Sequence, residues 1–438
     1  MKNATWMWSL GAALLLTACP DPDTDPNPGG GSTITVTGKV LDENGRPVKH
    51  ASILIPGNGR QAAALDSTGA FSIEGVTAPY DVIVVQREIR TATVYKGLSR
   101  RDLTLPYITN VEIRDDDYRT ARLEGTVTGG STPYDVSSPK VDFVSAASSG
   151  TAFADPDGTY SGEVNWNGPD SITGTLYAIQ MESSAPFTPP SSYLGFGRRD
   201  NVTLSNDTTS SALDITMNSV TDSHLGGSVT VPNGYALSTI GVTLVPEPNA
   251  SIDLFYAPEL GGTFNYVVPQ IPQSTFTVQA SASFENPADP FNTASSMLYK
   301  KGLTAGTSNA ALVLQEAARP SQPADNATEV TRATEFSWTA FTGGIHQFHI
   351  QEMDTAPDTS SYSVYIFTSG TQTTLPDLSV FDMSLPANAT FTWNVQSIAP
   401  VASMDALSEL ALTNPMLGTT DFALSISEKR TFTTSAAP

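Results

Sequence analysis

The sequence is poor in the residues that most catalytic and disulfide-bonded proteins use. Its 438 residues include one cysteine, Cys19, and four histidines. A chain with one cysteine forms no internal disulfide, so packing alone must stabilise its domains. A Gly-x-Ser-x-Gly elbow, a phosphate-binding loop and a His-Glu-x-x-His motif are also missing from the sequence. We therefore expect no catalytic residue, no cofactor and no metal, and a protein that is not an enzyme.

Positive charge and long apolar runs are scarce as well. Lys and Arg number 22 against 44 Asp and Glu, which gives a formal net charge of −22. An acidic protein repels nucleic acid and anionic lipid surfaces, so this charge argues against nucleic acid as a partner. After residue 18 the sequence holds no run of 18 consecutive apolar residues, and it predicts no later membrane-spanning segment.

The N-terminus has the pattern of an export segment. Lys2 precedes an apolar run over residues 6–16 that is too short to span a bilayer, and small residues precede Cys19. The tetrapeptide from Leu16 to Cys19 resembles the lipobox of bacterial lipoproteins. That resemblance implies a signal peptide over residues 1–18 and acyl chains on Cys19 that make the membrane a partner. It also implies a place in the bacterial cell envelope, at the outer membrane or cell surface. The alternative is an ordinary signal peptide with an incidental cysteine.

The rest of the chain alternates between apolar and polar residues. Residues 19–33 are rich in Pro, Asp and Gly, a composition typical of a flexible tether. Beyond them the period is two, as at Leu213, Ile215 and Met217, which indicates half-buried strands. The exception is residues 404–412, where apolar residues recur at helical spacing. The predicted fold class is all-β, with tandem β-sandwich domains.

An internal repeat recurs three times. Each repeat unit opens with a glycine between apolar residues: Gly38, Gly125 and Gly227. Each continues to a glycine turn and an aromatic residue: Phe71, Tyr160 and Phe264. The first two units also share a closing Gly-x-x-Arg-Arg-Asp sequence. The distance between the opening glycines is that of whole domains, so the sequence predicts related sandwiches in series.

Two segments carry residues in the spacing of known domain families. In the first unit they are Gly38, Asp42, Gly45, Pro47, Ala51, Ile53, Pro56, Asp66, Gly69 and Phe71. This segment resembles the carboxypeptidase regulatory-like domain, which implies a transthyretin-like sandwich without catalytic activity. In the last segment they are Pro320, Pro323, Phe336, Trp338, Trp393 and Phe432, and this segment resembles a fibronectin type III-like domain. The predicted domains are three related transthyretin-like or Ig-like units over 34–108, 119–220 and 221–317, followed by a fibronectin type III-like domain over 320–436.

Few side chains suggest chemistry. His349 and Glu352 have the spacing of the paired zinc ligands of metallocarboxypeptidases. Their segment alternates like a strand, however, so side chains three apart face opposite sides and cannot share an ion. We therefore expect His346 and His349 to be ordinary strand residues.

Acidic, aromatic and basic residues leave further candidates open. Residues 115–117 are all aspartate, and these side chains or the pair Asp155 and Asp157 suit calcium, although hairpin-turn chemistry also explains the pair. Trp166 is flanked by asparagines and is a candidate for an exposed glycan platform, whereas Trp338 and Trp393 have core settings. The Arg-Arg-Asp sequences at 100–102 and 198–200 favour ion pairs over anion binding.

These features predict a lipid-anchored, non-catalytic cell-envelope protein whose domains stand in a row. It would act as a stalk, an adhesion module or an accessory binding module, with a surface protein or glycan as partner. The alternative is a glycan-binding surface lipoprotein for polysaccharide capture. A hydrolase or metalloprotein with a site assembled between domains is a third hypothesis.

Overall fold

The computed structural model confirms the all-β fold class. It describes residues 33–42, 47–48, 51–56, 60–62, 67–106, 118–134, 137–146, 148–183, 188–258, 261–286, 289–353, 361–410 and 419–437. Within these ranges the chain forms 31 strands, the short α-helix α1 (Met404–Leu410) and one 3-10 turn at Ser379–Phe381. The helix lies where helical spacing predicts it. None of the described helical segments has the length and apolar character needed to cross a membrane.

The first unit consists of a three-stranded and a four-stranded sheet. Its strands are β1 (Ile34–Leu41), β2 (Ser52–Ile55), β3 (Arg60–Ala62), β4 (Ala70–Val76), β5 (Tyr80–Gln86), β6 (Thr91–Leu98) and β7 (Asp102–Pro106). The three-stranded sheet has the order β4-β1-β7, and the other has the order β6-β5-β2-β3. Apolar residues from both sheets, such as Val36, Phe71 and Val84, form one core between them.

The second and third units repeat this arrangement. The second contains β8 (Tyr118–Gly129), β9 (Lys140–Ser145), β10 (Ser149–Phe153), β11 (Thr159–Asn167), β12 (Ser171–Glu182), β13 (Ser192–Ser205), β14 (Thr208–Ser210) and β15 (Ile215–Met217). The third contains β16 (Thr221–Thr230), β17 (Tyr235–Val245), β18 (Ile252–Pro258), β19 (Thr263–Gln270), β20 (Thr275–Phe284), β21 (Ser295–Leu303) and β22 (Ala310–Val313). The third unit has a three-stranded sheet of order β19-β16-β22, and the equivalent sheet of the second unit, β11-β8-β14, has β15 as a fourth strand that also pairs with β8. The other sheets of the two units have the orders β10-β9-β12-β13 and β18-β17-β20-β21, equivalent to the four-stranded sheet of the first unit.

The opening glycine has the same role in all three units, which confirms the repeat. It lies opposite the repeat's aromatic residue in the pairs Gly38–Phe71, Gly125–Tyr160 and Gly227–Phe264. A Cβ atom at Gly38, Gly125 or Gly227 would lie within 2.8 to 2.9 Å of that aromatic side chain. It would also lie 2.0 to 2.6 Å from a carbonyl oxygen of the closing segment. Both contacts require a residue without a side chain.

The terminal domain lies between the first and third units. Its strands are β23 (Pro320–Gln322), β24 (Ala327–Val330), β25 (Phe336–Trp338), β26 (Ile345–Glu352), β27 (Ser363–Thr368), β28 (Gln372–Thr373), β29 (Thr390–Ala399), β30 (Phe422–Ile426) and β31 (Arg430–Thr434). Strand β27 pairs in parallel with β6 of the first unit, and β30 pairs antiparallel with β21 of the third. The four-stranded sheets of both units therefore continue through the terminal domain into one sheet of 14 strands.

This continuous sheet corrects the expected row of domains. The spatial order is first unit, terminal domain, third unit, because the terminal domain pairs with the last strand of each unit's four-stranded sheet. The second unit packs on the third, where Tyr177, Ile179 and Tyr193 join the third unit's core. An unpaired edge strand exposes backbone hydrogen-bonding groups, and pairing with the terminal domain satisfies them.

Stacked rings reinforce the pairing along one face of the long sheet. Residues directly opposite on neighbouring strands stack in the pairs Tyr95–Phe367, His349–Tyr365 and Tyr299–Phe422, with ring centroids 5.2, 4.2 and 4.3 Å apart. Neighbouring strands lie about 4.8 Å apart, so paired rings meet nearly face to face. The first and third of these pairs join the terminal domain to its neighbours.

Candidate functional site

The two histidines of β26 face opposite sides of the sheet, as the strand pattern predicts. His346 is buried against Trp338, with ring centroids 5.8 Å apart. Its Nε2 accepts a hydrogen bond from the backbone N–H of Phe341 at 3.1 Å. His349 stacks on Tyr365 from the other face, and its Nε2 lies 3.0 Å from Oγ of Ser363. The two rings therefore have separate surroundings.

Glu352 does not join His349. Its Oε2 pairs with the Arg90 guanidinium at 3.0 Å and accepts a hydrogen bond from the backbone N–H of Tyr362 at 3.2 Å. Glu352 thus fixes the turn before β6 to the terminal domain. Among the residues that the structure describes, no group of three or more His, Cys, Asp or Glu could hold a metal ion.

We predict that His349 makes the fold sensitive to acid. Burial lowers the pKa of His349 to about 4; the Lys429 ammonium adds to the shift and a hydrogen bond with Asn394 opposes it. In the unfolded chain the imidazole titrates near 6.5, so only the unfolded state takes up this proton as pH falls from about 6.5 to about 4. Full stability is present above that window, and about 2 kcal/mol should be lost across it, after allowing for partial exposure.

Urea denaturation at pH 7.5 and pH 4.5 measures this effect. His349→Gln should reduce the loss of unfolding free energy between the two pH values, whereas His224→Gln at an exposed position should not. Equal losses in both variants would contradict the assignment.

Of the acidic residues that are candidate calcium ligands, one pair lies in a turn and the others lie outside the described residues. Asp157 accepts hydrogen bonds from the backbone N–H and Oγ1 of Thr159 at 3.0 and 2.7 Å, which lower the pKa of its carboxyl. Gly158 between them has φ +88°, and its N–H donates to the Asp155 carbonyl at 2.8 Å. The Asp155–Asp157 segment is thus a hairpin turn with hydrogen bonds of its own. Residues 115–117 and Cys19 lie outside the described residues.

Trp166 is not an exposed platform, and that expectation is wrong. Its side chain is 3% exposed and packs in the core of the second unit. Its Nε1 donates to the Pro169 carbonyl at 2.7 Å. The alternation of β11 places residue 166 on the same face as Val164, and this outweighs its polar neighbours. Trp338 and Trp393 lie in the core of the terminal domain, as their settings predict.

A substitution at Trp166 should therefore affect stability. Trp166→Ala should lower the unfolding free energy by about 3 to 5 kcal/mol, because it leaves a cavity in the core. Trp166→Phe keeps most of the packing and should lose about 1 kcal/mol with the hydrogen bond to Pro169. Chemical denaturation followed by fluorescence measures both values, and equal values would contradict the buried role.

The arginine motifs form ion pairs. The Arg198 guanidinium contacts Asp200 at 2.8 Å and Glu247 of the third unit at 3.2 Å. Glu247 also accepts a hydrogen bond from the hydroxyl of Tyr177 at 2.6 Å. Arg100 lies 3.4 Å from Asp102. The motif at 198–200 thus links the second unit to the third. Asp200 and Glu247 already pair with the Arg198 guanidinium, so an anion would have to displace them to bind there.

A cleft of about 380 Å³ lies where the first unit meets the terminal domain. Its apolar surface comes from both sides, with Ile83 from β5 and Ile366 from β27. Asp81 and Lys96 place opposite charges on its wall. The Lys96 ammonium donates to Oγ1 of Thr373 at 2.8 Å; burial lowers its pKa and Asp81 opposes that shift. The cleft offers a ligand apolar contact and an ammonium group.

Sequence reasoning missed this cleft. Its walls come from residues 54–96 and 366–380, which the pairing of β6 with β27 and the hydrogen bond from Lys96 to Thr373 bring together. The residues around Lys96 belong to the closing element of the first repeat unit, and nothing in that sequence indicates a contact with residues 366–380.

Comparisons with known proteins give distant structural matches only. No protein-family model and no curated protein matches the chain. The TIE protein of Bacillus anthracis is 9% identical with a TM-score of 0.15; the match covers 65% of this chain and 51% of that protein, so the chain spans about half its length. BcpA, the major pilin subunit of Bacillus cereus, is 7% identical with a TM-score of 0.15, over 65% and 100% of the two chains. A putative carbohydrate binding protein from Bacteroides uniformis is 10% identical with a TM-score of 0.13, and the match covers 45% of this chain and 98% of that protein. Likenesses at these scores carry no argument about the fold or function of this chain.

Proposed function

We propose that this chain is a lipid-anchored, non-catalytic protein of the bacterial cell envelope that acts as an adhesion or accessory binding module. The observation that carries the proposal is the sheet of 14 strands, which joins the first unit, the terminal domain and the third unit by backbone pairing. Such a scaffold holds loops and interdomain clefts in fixed positions for a partner. Acyl chains on Cys19 would attach it to the membrane, and residues 19–33 would set its distance from the lipid.

Two further observations support the finer parts of the proposal. The three-plus-four arrangement of strands over Ile34–Pro106 fits the carboxypeptidase regulatory-like resemblance of the first unit. In the terminal domain, the sheet β23-β25-β28 opposite β30-β29-β26-β27 fits the fibronectin type III-like resemblance. The side chains that suggested chemistry, His346, His349 and Glu352, each have structural partners, which supports a non-catalytic role.

The anchor is tested on the protein as cells produce it. Mass spectrometry of the mature N-terminus should find Cys19 as residue one with acyl chains attached. Cys19→Ala should move the protein from the membrane fraction to the soluble fraction, whereas Thr24→Ala in the tether should leave it in place. An unmodified N-terminus, or membrane retention of the Cys19→Ala protein, would refute anchoring.

The binding role is tested by cross-linking on intact cells. A photo-cross-linking residue at position 380, whose native Val380 is 56% exposed beside the cleft, should capture a partner. The same residue at position 313, where Val313 is 62% exposed on the third unit, is the matched control. Equal capture at both positions would refute the cleft as a contact surface.

A further inference from the structure

The outward face of the third unit's four-stranded sheet carries aromatic and polar side chains in one transverse row. Val242 and Val278 point into the core and are fully buried. The residues that alternate with these core residues along each strand point to the opposite face of the sheet. On that face the strand register aligns five residues across neighbouring strands: Tyr256, Gly241, Gln279, Tyr299 and Phe422. This row crosses from the third unit into the terminal domain.

The ring of Tyr256 is presented to solvent over a glycine. A Cβ atom at Gly241 would lie 2.5 Å from both Cδ1 and Cε1 of Tyr256, so the ring occupies the space that a side chain at 241 would fill. Tyr256 is nevertheless 38% exposed. A large ring that covers backbone on one side and remains exposed offers a ligand a broad apolar surface.

Polar groups surround this ring. Gln279 lies two strands from Tyr256 in the same row and is partly exposed. Beyond it, Tyr299 stacks on Phe422 with ring centroids 4.3 Å apart, and both rings are buried. Asp253 is held by a hydrogen bond from Oγ1 of Thr243 at 2.9 Å.

Asp253 lies close enough to both tyrosines to affect them. Burial raises the pKa of Tyr299 to about 12, and the Asp253 carboxylate adds to the shift. The same two causes, burial first, raise the pKa of Tyr256. Asp253, Tyr256, Gln279 and Tyr299 are called the Tyr256 face below.

We propose that the Tyr256 face binds a neutral hexopyranose residue of a polysaccharide, with the sugar ring on Tyr256 and its hydroxyls on Gln279 and Asp253. The C–H bonds on one face of a pyranose pack against the electron-rich face of an aromatic ring. A carboxylate accepts hydrogen bonds from sugar hydroxyls, and an amide group both accepts and donates them. This assignment rests on the proposed function, because it names the ligand class of the proposed binding module.

Charge selects a neutral sugar. Asp253 is the acidic member of the Tyr256 face, and the whole chain has a formal net charge of −22. The Lys140 ammonium donates to the Asp253 carbonyl at 2.8 Å and the Lys301 ammonium lies over the Phe422 ring, so the charge near the face is mixed. An anionic polysaccharide would still meet repulsion from the net charge of the whole protein, whereas a neutral sugar would not.

Affinity electrophoresis of the full chain tests the assignment. Native gels contain dextran, a β-1,3-glucan, mannan or galactan, and a parallel gel contains anionic polygalacturonate. We expect retardation in at least one neutral gel and none in polygalacturonate. Tyr256→Ala should weaken the affinity at least about tenfold, the effect of 1.4 kcal/mol. Gln279→Ala should also weaken it, and it keeps the aromatic surface if Tyr256→Ala fails to fold.

Tyr118→Ala is the matched control, because Tyr118 is 41% exposed on the second unit. It should bind as the unaltered chain does. Absence of retardation in all four neutral gels, retardation in polygalacturonate alone, or undiminished binding by the folded Tyr256→Ala and Gln279→Ala variants would overturn the assignment. The Cys19→Ala fractionation is independent of these gels, so a failed sugar site and a failed anchor give different results.

Discussion

Replacing Gly227 with alanine should destabilise the third unit by about 3 kcal/mol or more, the upper part of the range for overpacked sites. The added Cβ would lie 2.0 Å from the Ala310 carbonyl oxygen and 2.9 Å from Cζ of Phe264. The phenyl ring can rotate away, but the carbonyl belongs to β22, which pairs in parallel with β16 at this position. The two strands must separate or Gly227 must leave the sheet, and either change disturbs the core beneath.

Gly370→Ala is the matched control. Its nearest neighbour is Oγ1 of Thr368 at 3.4 Å, an ordinary contact, and its φ lies outside the left-handed region. Urea denaturation of the two variants and of the unaltered chain measures the difference. Equal midpoints for the two variants would show that the opening glycine tolerates a side chain, which would remove the physical basis of the repeat.

The repeat was predictable because its signals are local. A glycine between apolar residues and an aromatic residue after a glycine turn both reflect contacts within one sheet, and the Gly38–Phe71 pair shows the contact directly. The all-β class follows from the same alternation. The spatial order of the units was not predictable. Strands β27 and β6 pair through backbone groups that every residue carries, so the sequence holds no mark of that partnership.

The candidate sites show the same division between local and long-range information. The divergence of His349 and Glu352 follows from strand geometry and could be predicted from spacing alone. The burial of Trp166 could have been read from its alternation with Val164, a stronger signal than its neighbouring amides. The exposure of Tyr256 depends on Gly241 and Gln279 of other strands, which become neighbours only through register. The alternation of side chains along β18 indicates only that Tyr256 faces away from the core.

Removing the terminal domain should make the protein aggregate. A chain that ends at residue 318 loses both β27 and β30, which leaves β6 and β21 as open sheet edges. It also exposes Ile83, Val85 and Val94, which are at most 3% exposed in the core that they share with the terminal domain. Burial of each such side chain is worth about 1.5 to 3 kcal/mol, and a flat apolar edge strand is a template for pairing with another chain.

Size-exclusion chromatography with light scattering should find large species for the shortened chain and a monomer for the full one. Lysine blocks edge pairing because its charge cannot be buried between strands. The shortened chain with Val85→Lys and Val94→Lys should therefore form smaller species than the shortened chain alone, since both side chains lie on the first-unit face that the terminal domain covers, while the β21 edge stays open. A shortened chain that stays monomeric without these lysines would show that the sheet edges are protected within their own units. The terminal domain would then be a neighbour of the first and third units and no longer the element that joins them.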